Sequence, residues 1–528
     1  MAGKRPSLSL CMIVKDEEED LPRALASAAG LADEMVVVDT GSQDKSKYIA
    51  GSYGARVYEY PWQGDFSGPK NLALDKARGK WILFLDADEE LPAKDKEKIR
   101  ELLAEPGTAE GFLFTMVNFT GERPGGQYEL NLNLKLFRNR PIYRYSRPLH
   151  EQIEKLGPGP ELVSRPDIRV LHYGYLDSHL ARKGKKERNL RILENHISSG
   201  NPDAYDLFNL GVEYLRLNRF REALECFALA RRGQTGNPLW LSACARNLLQ
   251  CLLQLGLWDE AIEEAGRAVE LYPDYVDLVY LKGVALAGRG MYPQALGAFY
   301  QAAAMDSQAL SAYSHDPGLS GYKAYYSIGQ IHLQLGQYEE AGEALHKSLT
   351  LAPGYRPALI TLCRTLAKQG DKSEELEGLV AEKGDGKYLA LAELCHEAEL
   401  YKPALEFLNK CPEELPPDYL FLRGLLHWKT RNYALAAKDL GRCREDHPQA
   451  KEARLVLLGC RWLMGEASKG EAELAGSGPG DYLFLVRFFL DEADRVLKQA
   501  EGDFPEAKVL VDFRSRLDRC RREVQTTQ

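Results

Sequence analysis

The stretch Lys80–Leu91 reads KWILFLDADEEL: an apolar run from Trp81 to Leu85 ends in two carboxylates, Asp86 and Asp88, one residue apart. A short, wholly apolar run of this kind reads as a strand buried on both faces, and the carboxyl ends of such strands are where open α/β sheets bind ligands. In an extended segment Asp86 and Asp88 point the same way. Two hard oxygen ligands on one side suit Mg²⁺ or Mn²⁺ held together with substrate phosphates, because these ions take few protein ligands and complete their shells with water and phosphate. The same spacing also serves turns and helix caps, here for a helix expected from about Pro92, so the neighbouring segments have to decide.

Outward from this run, to about Tyr175, further short apolar or alternating runs are separated by helix-sized segments: SLSLCMIV, EMVVVDT, ARVYEY, EGFLFTMVNF, LNLKLFRN and IRVLHYGY. This order predicts an α/β layer with a mainly parallel sheet. Asp39 closes the second run and lies a little over twenty residues beyond the first strand, where an acid can meet a ribose or a base. No GxGxxG loop stands between those two strands, so the pyrophosphate cradle of dinucleotide enzymes is missing and a metal on Asp86 and Asp88 would have to serve the phosphates.

Beyond about Asn201 the texture becomes helical and repetitive. In DLFNLGVEYLRLNRFREALECFALA (Asp206–Ala230), Leu207, Leu210, Gly211 and Tyr214 fall at helical spacing, then Ala223, Phe227 and Ala230 on a second helix. The register returns at Ala261, at Gly283 with Ala295 and Phe299, at Gly329 with Ala341, and at Gly424 with Ala436. Ala261 and Ala295 stand 34 positions apart, the tetratricopeptide (TPR) period. The insertion SHDPGLSG displaces one unit. Small residues let paired helices approach and the aromatics fill the gaps that the next repeat closes. Residues 1–180 are expected to form the α/β domain, 181–202 a basic helical linker, 203–465 the repeats and 466–528 capping helices.

Composition narrows the function. The 528 residues are 45% hydrophobic and 27% charged, as in globular proteins, and the formal net charge of −9 argues against nucleic-acid binding. No apolar segment reaches the length of a membrane span, and the N-terminus has too short an apolar core for a signal peptide. Ten scattered cysteines without a CxxC pair read as small apolar fillers of a reduced, cytoplasmic protein.

The ordered set LSLCMIVKDEEEDLPRAL, VVVDTGSQDKS and GPKNLALDKARGKWILFLDADEEL resembles the nucleotide-binding half of a family 2 glycosyltransferase of the GT-A fold. The resemblance implies a UDP-sugar donor. Asp39 would accept a hydrogen bond from the uracil, with the backbone around Ile13, Val14, Asp16 and Glu17 beside the base. Lys70 matches the basic residue that approaches the diphosphate, and Asn71 follows it as in many relatives, within the nucleotide-sugar site. Asp86, with Ala87, would lie near the ribose and the metal, and Asp88 would bind Mn²⁺ or Mg²⁺ directly. A late acid serves as catalytic base and a later His completes the metal shell; Glu151 in RPLHEQI and His172 in VLHYGY match, with His150 the rival for the base because it precedes the Glu.

The combination with repeats looks like soluble bacterial glycosyltransferases with TPR-like tails that modify peptides or proteins. The expected reaction is inverting transfer to a peptide or protein acceptor held in a TPR groove. An acceptor from cell-surface glycan assembly is the alternative, and an inactive nucleotide-binding adaptor a further one. Arg182, Lys183 or Lys185 of the basic run is a candidate for the diphosphate. A homodimer would follow from an exposed apolar end of the helical array.

Overall fold

The computed structural model describes residues 7–464, apart from 126, 156–161, 183–184, 201, 235–238, 306–312, 371–372, 381–384, 412–414 and 445, together with residue 518. The expected capping helices of 466–528 therefore fall outside the described residues, residue 518 excepted. The chain divides into two compact units, Met1–Ile331 and His332–Gln528. Among the described residues no helix is long and apolar enough to cross a membrane.

The first unit opens with β1 (Leu8–Val14), α1 (Leu21–Ala28), β2 (Glu34–Asp39), α2 (Ser46–Ser52), β3 (Arg56–Glu59), α3 (Ser67–Lys76), β4 (Trp81–Phe84), β5 (Glu89–Glu90) and α4 (Lys96–Ala104). It continues with β6 (Gly111–Thr120), β7 (Gln127–Arg138), β8 (Tyr143–Ser146), β9 (Gln152–Lys155) and β10 (Leu162–His172). Eight strands form one sheet in the order β3-β2-β1-β4-β7-β6-β10-β5, while β8 and β9 make a separate antiparallel pair. The sheet is mainly parallel, as expected, with antiparallel pairings at β7 and β5 that make it mixed. It is parallel across β3-β2-β1-β4 and between β6 and β10, but β7 runs antiparallel to both β4 and β6, and β5 antiparallel to β10. The cause is the short connection from β6 to β7, since a parallel return needs a crossover of about a dozen residues.

Burial follows the period of two along the first strands. Leu10, Met12, Val37 and Leu83 enter the core on one face with α1 and α4, while Cys11, Val36, Val38, Ile82 and Phe84 enter the core on the other with α3. Both faces are covered, which is why these runs contain almost no polar residue.

The helices that follow are α5 (Asp177–Arg182), α6 (Lys185–Ser199) and the paired repeat helices α7 (Ala204–Arg216), α8 (Phe220–Arg231), α9 (Leu239–Gln254), α10 (Trp258–Leu271), α11 (Val276–Gly288), α12 (Tyr292–Ala304) and α13 (Tyr322–Gln334). The repeat glycines let helix pairs close: a Cβ on Gly211 would meet the Phe227 ring at 2.7 Å, and one on Gly283 would meet Phe299 at 2.7 Å. The second unit carries α14 (Tyr338–Leu351), α15 (Arg356–Gln369), α16 (Ser373–Gly378), α17 (Asp385–Glu397), α18 (Tyr401–Asn409), α19 (Pro417–Lys429), α20 (Tyr433–Leu440) and α21 (Ala450–Leu463). Its closing core, with Phe421, Ala436, Leu440 and Val456, keeps the same small-and-large pattern.

Within the first unit the repeats hold the sheet. β4 pairs with Leu136, Phe137 and Arg138 of β7, so among the described residues the first half of β7 has no strand on that side. The irregular segment before α13 supplies a bridge there: Leu130 N donates to His315 O at 2.9 Å and His315 N to Leu130 O at 3.0 Å. Beside it, Arg246 of α9 lies between Glu129 of β7, at 3.7 Å, and the buried Asp277 of α11, at 3.5 Å.

Burial pushes the Asp277 carboxyl from 3.8 up to about 7, against the pull of Arg246. Between those values the folded protein holds a proton that the unfolded chain has lost. This group's contribution to stability is therefore full below about pH 4 and declines as pH rises toward about 7. Asp277→Asn should flatten that decline. Urea titrations at about pH 5 and about pH 8 should show a smaller pH-dependent loss of stability in the variant than in the wild type.

Candidate active site at the carboxyl ends of the strands

The loops after β1 and β2 are fastened to each other by the polar residues of KDEEED and TGSQDKS. Asp16 N donates to Ser42 Oγ at 3.0 Å, Gln43 N to Asp16 Oδ1 at 2.7 Å, and Glu17 N to Ser46 Oγ at 2.8 Å. Asp16 takes a left-handed conformation, φ 53°, to make this join. Ile13 is partly exposed at the strand end and Val14 is buried, with its carbonyl accepting from Thr40 N at 3.0 Å. Asp39 is 1% exposed. Its Oδ1 accepts from Gly41 N and Ser42 N at 2.9 and 3.0 Å, whereas its Oδ2 is buried with no hydrogen-bond partner among the described residues. A buried carboxylate oxygen left without a donor is costly unless a ligand supplies one.

At the end of β4 the chain does not stay extended. Glu89 N donates to Asp86 O at 3.0 Å, closing a turn through Ala87 and Asp88. The expectation that Asp86 and Asp88 project side by side from a strand is therefore corrected: the turn sends them to different partners. Asp86 Oδ1 lies 3.4 Å from Lys70 Nζ, while Asp88 Oδ1 lies 3.5 Å from His172 Nε2. Ala87 is buried in the core between them.

Lys70, one turn into α3, is buried, and its ammonium pairs with the Glu151 carboxylate as well as with Asp86. Burial alone would lower the Lys70 pKa; Asp86 and Glu151 outweigh it and hold the charge well above the ordinary lysine value. Burial would likewise raise Asp86, but Lys70 and then Lys135 bring it below its usual value. Asn71 is spent elsewhere: its side chain donates to Tyr145 O at 2.8 Å and accepts from Tyr145 N at 2.9 Å, which docks β8 on α3.

His172 Nδ1 stands 2.9 Å from Asn118 Oδ1, which sets Nδ1 as the donor and turns Nε2 toward Asp88. Burial disfavours the imidazolium; Asp88 overcomes this and raises the His172 pKa. Gly174 faces the pair. A Cβ there would meet Asp88 Oδ2 at 2.5 Å and His172 Nε2 at 2.7 Å, so only glycine leaves this cradle open. Among the described residues no group of three or more His, Cys, Asp or Glu gathers as a metal cage. Asp88 and His172, a carboxylate and an imidazole 3.5 Å apart, are donor types that fit a Mg²⁺- or Mn²⁺-type ion taking its other ligands from phosphate and water.

Glu151 and His150 engage different partners. Glu151 faces Lys70, whereas His150 Nε2 lies 3.0 Å from Glu213 Oε1 of α7. Several contributors carry no motif signal. Asn118 sits inside an apolar strand run, and Lys135 is buried against Glu89 with both Nζ–Oε distances at 2.7 Å. Glu89 Oε2 in turn accepts from Asp86 N at 2.9 Å and braces the turn. The only available signal for Lys135 was a charge within an alternating strand, LNLKLFRN. Of the basic run, Lys183 and the side chains of Arg182 and Lys185 lie outside the described residues, while Arg188 stacks over Phe66 at 5.4 Å and lines a cleft with Trp62 and Arg191.

Residues 9–156 match glycosyl transferase family 2, and residues 208–268, 246–309 and 322–355 match tetratricopeptide repeats. A TPR repeat-containing protein of Synechococcus elongatus is 39% identical over 211 residues, 39% of this chain and 51% of its own length. An uncharacterized glycosyltransferase of Rickettsia bellii is 40% identical over 97 residues, 18% of this chain and 33% of its own. The SPbeta prophage-derived glycosyltransferase SunS of Bacillus subtilis is 25% identical over 225 residues, 42% of this chain and 52% of its own. The chain spans about half the length, or less, of these curated relatives. The site just described lies in, and next to, the segment that carries the first match, and the helix pairs carry the others: this chain joins a family 2 glycosyl transferase domain to tetratricopeptide repeats.

Proposed function

We propose that this protein transfers a sugar from a UDP-sugar, with inversion, to a peptide or protein side chain brought by its repeats, with Mn²⁺ or Mg²⁺ at the donor diphosphate. The observation that carries this reading is the convergence, at one end of the sheet, of the unpartnered Asp39 oxygen, the Lys70–Asp86–Glu151 cluster and the Asp88–His172 pair.

Asp39 Oδ2 accepts the N–H of the uracil, beside the backbone of Ile13 to Glu17. The partly exposed Asp86 receives a ribose hydroxyl. The Lys70 ammonium turns toward the diphosphate and so loosens its hold on Glu151, which becomes available as a base. Glu151 takes the acceptor proton as the acceptor attacks the anomeric carbon from the face opposite UDP; the bond from that carbon to the diphosphate oxygen breaks, and UDP leaves with its electron pair. Asp88 and His172 would hold the cation, which when bound offsets the charge growing on the departing diphosphate. Asn71 takes no part in this scheme, since its amide is engaged by β8.

Polar side chains of α7 and α9 already contact the sheet domain through Glu213 and Arg246, the latter backed by Asp277 of α11. Peptide capture is accordingly assigned to the repeats beyond Ile331, where helix faces of the same kind can meet an extended segment.

Intact-mass analysis of candidate partner proteins, incubated with Mn²⁺ and a panel of UDP-sugars, should show a sugar-sized increment that Asp88→Ala abolishes. Glu151→Gln should lower kcat by about 10² to 10⁴. Asp39→Ala should raise the UDP dissociation constant by about tenfold or more, a lost hydrogen bond to a charged group being worth about 1.5 to 3 kcal/mol. Release of UDP with no protein gaining mass would move the acceptor to a glycan or water.

A separate check concerns the cradle. Gly174→Ala should raise the Mn²⁺ concentration for half-maximal activity by about 10- to 100-fold, because its Cβ drives Asp88 and His172 apart. UDP binding without metal should be unchanged.

A further inference from the structure

Glu213 is a carboxylate in the last turn of a repeat helix, with its side chain 1% exposed. Packing of the repeat asks for no charge there, and burying one is expensive unless it is paired. Its Oε1 is paired twice, with His150 Nε2 at 3.0 Å and with Arg216, whose other guanidinium nitrogen reaches the Tyr175 hydroxyl at 3.3 Å. Burial would raise the Glu213 pKa; His150 and Arg216 reverse this and keep it below the usual value, so the carboxylate is charged.

The loop it touches is unusual in its backbone. Arg147 (φ 78°) and His150 (φ 52°) are both non-glycine residues in the left-handed region, a conformation that persists only where the surroundings over-determine it. α7 supplies the anchor at each. Arg147 pairs with Asp203 and Asp206, the two residues of the α7 capping box, and His150 pairs with Glu213, two turns further along the helix. The segment between them is tied to the start of α3: Phe66 N donates to Pro148 O at 2.9 Å, and Ser67 Oγ donates to Arg147 O. Leu149 packs with Leu190, Leu193 and Leu210. The residue after this loop is Glu151, whose carboxylate meets Lys70 of α3.

We propose that Glu213 is a positioning residue for glycosyl transfer, and that the first repeat helix is therefore a working part of the active site. By holding His150 on the α7 side, it turns the next side chain, Glu151, toward Lys70 and the reacting atoms. This rests on the reading of Glu151 as the base. His150 thereby acts as an anchor, its ring nitrogen being engaged by the repeat.

The test uses the full chain and measures UDP release from whichever UDP-sugar of the panel the wild type turns over, with UDP affinity by calorimetry alongside. Glu213→Met keeps the volume and removes the charge. It should lower kcat by about 10- to 100-fold, the scale of a small misplacement of a catalytic group, while UDP affinity stays within about twofold. His150→Ala should cost a similar factor alone and little more in the Glu213→Met background, because the two act as one unit. Glu225→Gln, on the exposed face of α8, should match the wild type. Wild-type kcat in Glu213→Met overturns the proposal, as does a fall in UDP affinity that matches the fall in kcat, or losses for the two residues that multiply. Should the Met variant not fold, Glu213→Gln takes its place with an expected loss of about tenfold, and wild-type kcat there is equally decisive against the proposal. No turnover by the wild type would instead sink the glycosyltransferase reading itself.

Discussion

The buried ammonium of Lys70 is the point on which the site depends. It is a single positive charge, brought in by α3, to which the end of β4 contributes Asp86 and the loop after β8 contributes Glu151. The ammonium stands between two carboxylates and attracts both, and it holds Asp86 below its usual value. Phe84 and Tyr145 lie against the ammonium at 5.0 and 5.2 Å and keep water from diluting that attraction. A second buried lysine, Lys135, does the same for Glu89 and so for the turn that aims Asp86. The polar end of the sheet is thus organised around two lysines, and the acids are placed by them.

Much of this was legible in the sequence, for identifiable reasons. The runs of β1, β2 and β4 were plain because both faces are buried and almost no polar residue interrupts them; the repeats were plain because glycine and aromatic recur in a fixed register. What failed had equally physical causes. The antiparallel place of β7 within the mainly parallel sheet depends on the length of one connection, between β6 and β7, and apolar runs do not state direction. The β8–β9 pair was missed because its short strands carry a mixed pattern, YRYS among them. The parallel projection of Asp86 and Asp88 assumed an extended chain, whereas Glu89 folds it into a turn. Asn118, Lys135 and Glu213 act through partners far away in sequence, and only folding brings those together.

The repeats of the first unit emerge in an additional role. Arrays of this kind are usually read as separate modules that present a groove. Here Asp203, Asp206, Glu213 and Arg216 of α7, with Arg246 of α9, spend their charges on Arg147, His150, Tyr175 and Glu129 of the sheet domain. That explains why the compact unit runs on to Ile331 and does not stop where the sheet ends.

The bridge between Leu130 and His315 has a consequence for how the protein is made. The segment that breaks the 34-residue rhythm is the one that bridges the edge of β7 at Leu130, and it leaves the ribosome long after that strand. The strand's outer backbone groups must wait, exposed, through the synthesis of three helix pairs before their partner exists. An unpaired edge held open for that interval is where a nascent chain is most open to pairing with the wrong neighbour, and the apparent irregularity in the repeats is what finally closes it.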